Sequence, residues 1–165
     1  MKRRTDKERP FHFEREALKA SGIRDKAEID FYSNRLDELF LRIDPPVVSS
    51  LDPAEKAGIV FQFLWKQKPC RYKSGGPFRL DEVIDAQWDE DVREVGNCLG
   101  LTLLYHALLQ HVGLRPEALY LPVAFERGPH VLTVLRTKTS ILYIENILHH
   151  GFDYKGHLDL QGGIM

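Results

Sequence analysis

Only two cysteines occur in the 165-residue chain, and one of them stands where a thiol gains nucleophilicity. Cys98 follows Gly96-Asn97 in the stretch VGNCLGLTLLYHALLQHVGL. The apolar residues that follow recur as Leu101, Leu104, Leu108 and Val112, which is one face of a helix. Asn97 is a good N-cap, and Gly113-Leu114 is a good C-terminal stop. A thiol on the first helical turn feels the positive end of the helix dipole and nearby N–H groups, and both favour thiolate. The competing structural role is that of a small buried hydrophobe. Cys70, next to Pro69 in a loop-like segment, lacks both a cap and a neighbouring histidine and reads as a bystander.

A cysteine nucleophile needs a histidine to move its proton, and a third polar group helps to orient the imidazole. His130 opens one of two strand-like segments, HVLTVLRT, and Glu145 and Asn146 end the other, SILYIENI. Folded as an antiparallel hairpin, one register sets His130 opposite Glu145 and the next sets it opposite Asn146, so both stay open as orienter. An oxyanion hole would combine the Cys98 backbone N–H with a further donor, for which Gln87, Trp88 and Asn97 are the upstream candidates. Asn97 has a competing duty as the cap.

The elements that must position these residues can be read from pattern. Residues 1–12 read as a flexible arm, and residues 13–165 as a single domain, helical over about 13–113 and β over about 117–147. Asp25 and Glu28 form a capping-box pattern ahead of Ile29, Tyr32, Leu36, Phe40 and Ile43 at helical spacing. Pro45 and Pro46 cannot continue that helix. Asp52, Pro53 and Glu55 start another, with Ile59, Val60, Phe63 and Leu64 as its apolar residues. A loop carrying Ser74-Gly75-Gly76-Pro77 follows, then a short helix in RLDEVIDAQ. Beyond Gly113, EALYLPVAFE, HVLTVLRT and SILYIENI are rich in branched and aromatic residues and read as three strands. Helices first and strands after imply an α+β fold, with N-terminal helices packed on a small antiparallel sheet.

The segments GNCLGLTLLYHALLQHVGL, PHVLTVL and LYIENI resemble the transglutaminase-like superfamily of papain-related folds. The resemblance is nearest to the bacterial branch, whose cysteine motif reads Gly-Asn-Cys ahead of a leucine-rich helix. It covers roughly residues 51–147, and the Cys98 segment is its most specific part. It implies a papain/transglutaminase-like core, Cys98 as nucleophile, His130 as general base and acid, and Glu145 or Asn146 as orienter. Where the superfamily usually has aspartate, often followed by proline, this chain has Glu145-Asn146-Ile147. The implied activity is that of a cysteine hydrolase or acyl transferase on a peptide or protein amide. The alternative is a catalytically inactive fold that binds a partner protein, and a third role is regulation by oxidation of Cys98.

Composition excludes several other classes. With 43% hydrophobic and 28% charged residues and a net charge of −1, no global field favours nucleic acid or a membrane surface. The basic N-terminus lacks the apolar run of a signal peptide, so a cytoplasmic location is expected. The acidic run at residues 81–94 reads as a solvated face, or as a bias towards basic substrates in a groove near Cys98. SGGP lacks the lysine–hydroxyl ending of a phosphate loop, and no cofactor is expected. His106 and His111, five apart, would point about 140° from each other on a helix. His149, His150, Asp153 and His157 show no recurrent zinc spacing, so no metal site is expected.

Overall fold

The computed structural model describes residues 12–157, so the expected N-terminal arm, apart from His12, lies outside the described residues. Six helices precede three strands: α1 (Phe13–Ala20), α2 (Lys26–Leu41), α3 (Pro45–Ser49), α4 (Pro53–Gln67), α5 (Leu80–Trp88), α6 (Cys98–His111), β1 (Glu117–Leu121), β2 (His130–Arg136) and β3 (Ile141–Ile144). The fold is α+β, with one antiparallel sheet in the order β1-β2-β3. No described helix is long and apolar enough to cross a membrane.

Local chemistry explains the helix starts. The Asp25 side chain accepts from the Glu28 N–H, and Asp52 and Glu55 complete a reciprocal capping box ahead of α4. The two prolines do not terminate α2, which has already ended at Leu41; they open α3, where a missing N–H costs nothing. Helix α1 falls inside the span expected to be helical, in a stretch where no individual helix was delimited. Its signals are Glu14 and Glu16 in the first turn, Lys19 in the last, and Leu18 fully buried.

Helix α6 is the centre of the core. Leu101, Leu104 and Leu108 are buried as expected, but so are Tyr105, His106, Ala107 and Leu109, because helices pack around it on several sides and β2 on another. Each fully buried leucine contributes about 1.5–3 kcal/mol, so this helix is anchored along most of its length.

A buried polar chain ties α6 to the sheet. Asn146 Nδ2 donates to Thr102 Oγ1 at 3.1 Å and to Thr133 Oγ1 at 2.9 Å. Thr133 Oγ1 lies 2.9 Å from His106 Nε2. Burial pushes the His106 imidazole down to about 4, so the ring is neutral and Nε2 accepts the Thr133 hydroxyl proton.

His106 therefore makes the fold acid-sensitive. Its ordinary pKa is 6.5, and below that value the unfolded chain binds a proton that the folded chain refuses until about pH 4. The His106 contribution to stability is full above pH 6.5 and falls by about 3 kcal/mol on the way to pH 4. Urea denaturation of wild type and His106→Gln at both pH values should show the acid loss smaller in the variant by at least about 1 kcal/mol.

Candidate active site

Cys98 is the first residue of α6, and the backbone ahead of it is fixed by the loop that follows α4. Val95 N–H donates to Arg71 O at 2.7 Å, Lys73 N–H to Gly96 O at 3.0 Å, and Asn97 N–H to Pro77 O at 2.9 Å. The loop and helix approach so closely that a Cβ on Gly100 would lie 2.5 Å from Pro77 O. Glycine at position 100 is thus a packing requirement. The Asn97 side chain accepts from Gly100 N–H at 3.0 Å, which orients the first turn.

His130 is the first residue of β2, and its imidazole borders the same cleft as the Cys98 thiol, near enough for the two groups to act on each other's charge. Its Nε2 lies 2.7 Å from Glu145 Oε2, which leaves Nδ1 for the sulfur. The hairpin register is neither of the two anticipated. Thr133 pairs with Ile144, one step further along, so His130 is directly opposite neither Glu145 nor Asn146. Extending that register sets Glu145 across from Leu132, on the face that also carries His130, and the two side chains meet diagonally. Asn146 belongs to the opposite face and is committed to Thr102 and Thr133.

Glu145 has no solvent exposure. A turn holds it: its N–H donates to Gly151 O at 2.8 Å, and Gly151 N–H donates to Leu148 O at 2.9 Å. A side chain on Gly151 would collide with the Glu145 carbonyl. Behind the carboxylate stands a second imidazole, with His157 Nε2 2.9 Å from the same Oε2. The Tyr154 N–H, bonded to Tyr143 O at 2.7 Å, returns the chain to β3 and delivers His157. Phe125 packs edge-on against both rings, with centroids 5.5 Å from His130 and 4.8 Å from His157. Phe125 and Glu126 both have positive φ, 52° and 57°, which turns the β1–β2 loop over the histidines.

The charges follow from this geometry. The Cys98 thiol is pulled below its ordinary 9.0 by the hydrogen bond to His130, against desolvation, with help from the Val131 and Leu99 backbone N–H groups. Burial pulls His130 down, but its bonds and charges towards Cys98 and Glu145 win and raise it to about 9. The pair thus favours thiolate and imidazolium together.

Both groups border a cleft of about 480 Å³, lined also by Tyr72, Ser74, Asn97, Phe125, Arg127 and Leu148. Asn97 lines this cleft and its cap bond uses only Oδ1, so of the three anticipated oxyanion candidates it is the one that the fold brings beside Cys98. Gln87 and Trp88 do not line it. Gln87 Nε2 reaches Gln67 at 3.5 Å, and the Arg42 guanidinium stacks 4.0 Å over the Trp88 ring. The acidic run does not form a wall either; Asp85, Asp89 and Glu94 border a separate depression beside Lys73.

His157, Tyr72, Ser74 and Phe125 had no signal in spacing alone. For His157 the nearest hint was its place in a histidine-rich tail. Together His130, Glu145 and His157 place three donor atoms of metal-ligating type within 4.8 Å of one another. Comparisons of the chain with family models, with curated proteins and with solved structures give no match.

Iodoacetamide alkylation of Cys98 across pH, in chelator-treated buffer, should rise with a midpoint below 9.0. His130→Ala should move that midpoint up towards the ordinary thiol value, with Glu145→Gln between the two. Identical midpoints for wild type and His130→Ala would contradict the coupled pair.

Proposed function

We propose that the protein is a cysteine hydrolase or acyl transferase of the transglutaminase-like type, acting on an amide or peptide-type carbonyl. The observation that carries this reading is that Cys98 and His130 border one cleft, with Glu145 bonded to the Nε2 side of the ring at 2.7 Å. A papain-related core is supported by the order of parts: a cysteine opening a buried helix, a histidine opening the antiparallel strand packed on that helix, and a carboxylate just after the next strand. The choice of amide substrates comes from the sequence resemblance.

The chemistry runs in two halves. The Cys98 thiolate attacks the carbonyl carbon, and the new C–S bond pushes an electron pair onto oxygen. The Cys98 N–H, an orphan donor of the first turn, and the Asn97 amide are the groups placed to meet that oxyanion. As the carbon–nitrogen bond breaks, His130 Nδ1 gives its proton to the departing amine, leaving a thioester. Water or an amine then attacks while His130 Nδ1 takes its proton, and thiolate departs. Glu145 holds the ring by Nε2 throughout and stabilises the imidazolium.

Incubation with p-nitrophenyl acetate followed by mass spectrometry should reveal an acetyl group on Cys98. Cys98→Ala should carry none, and His130→Ala should acylate about 10²–10⁴-fold more slowly. No acetyl-enzyme, together with a Cys98 that reacts with iodoacetamide only after unfolding, would replace this reading with that of a non-catalytic binding module.

A further inference from the structure

Glu145 is fully buried, yet its ion-pair partners among the described residues are only two titratable imidazoles. A buried carboxylate without a permanent counter-cation is a strong attractor for a positive ion. Both histidines present Nε2 to the same oxygen, at 2.7 and 2.9 Å, so the directions of their N–H bonds converge. Two imidazoles and a carboxylate are also the donor set that zinc takes in many enzymes. Tetrahedral zinc with bonds of about 2.0–2.2 Å sets its ligand atoms roughly 3.3 Å apart. The two N–O spacings need to open by about half an ångström, and all three ligand atoms already lie within 4.8 Å of one another. Phe125 and Tyr154, 4.8 and 5.1 Å from the His157 ring, screen the cluster from water and lower the local dielectric.

We propose that His130, Glu145 and His157 form a reversible binding site for a divalent transition-metal ion of the zinc type, and that its occupancy switches off the Cys98–His130 pair. The protons balance simply. The metal takes the place of the Nε2 proton of the His130 imidazolium, which leaves to solvent, and His157 binds through Nε2 with a single proton on Nδ1. Thiolate, carboxylate and dication then sum to zero charge. His130 keeps its Nδ1 proton towards Cys98, but a metal-bound neutral imidazole can release it only as imidazolate. It therefore cannot protonate a departing amine. The switch rests on the thiol-enzyme reading above; the metal site does not.

Cobalt(II) added to the full chain distinguishes the two. One Co²⁺ per chain should bind with visible d–d bands and without a thiolate-to-cobalt charge-transfer band. Cys98→Ala, which leaves all three ligands intact, should give the same spectrum. His157→Ala, checked for folding by circular dichroism, should bind at least about 100-fold more weakly. Bound Co²⁺ should also slow acetylation of Cys98 in wild type but not in His157→Ala. A charge-transfer band lost in Cys98→Ala would place the metal on the nucleophile and overturn the assignment, as would no binding, or binding untouched in folded His157→Ala. Binding as described without any effect on acetylation would retain the metal site and overturn the switch.

Discussion

A carboxylate with no access to water must be paid for by its neighbours, and the site is built around meeting that demand for Glu145. Hydrogen bonds to a charged group are worth about 1.5–3 kcal/mol each. Glu145 gets them from His130 and His157. The bond to His130 fixes that ring and leaves its other nitrogen for Cys98, and Cys98 and Glu145 together raise its affinity for a proton. Orientation and charge at the sulfur thus follow from how the protein supplies partners to one buried acid.

Three separate pieces of chain converge to satisfy it: the start of β2, the turn after β3 and the return from Tyr154 to His157. The turn after β3 depends on Gly151, whose Cβ would meet Glu145, and the Cys98 helix depends likewise on Gly100, packed against Pro77. The β1–β2 loop adds two residues of positive φ, a conformation that costs about 1 kcal/mol or more for a non-glycine residue. That cost is offset by the seat it gives Phe125 over the paired histidines.

The sheet separates two polar systems by its alternation. Thr133, Leu135, Leu142 and Ile144 share the face that packs towards α6, and three of them belong to the apolar core. Asn146 falls on that face and braces it through Thr102 and Thr133. Glu145, one residue earlier, falls on the other with His130. Adjacent residues in the chain therefore do unlike work, one holding helix to sheet and the other holding the imidazole.

Much was legible from the chain because it is local. The caps at Asp25, Asp52 and Asn97, the start of α6 at Cys98, the three strands and the α+β order depend on side chains within four residues of one another or on simple periodicity. The pairing of Cys98 with His130 was anticipated, helped by the family resemblance. What the chain alone left open was the choice between Glu145 and Asn146, because a one-residue slip in register exchanges faces and costs nothing in local pattern. The tail's contribution of His157, the placing of Phe125 and the exclusion of Gln87 and Trp88 from the cleft were equally beyond it. Those outcomes were decided only by the tertiary structure, since each depends on which distant backbones can approach closely enough to keep a buried charge paired.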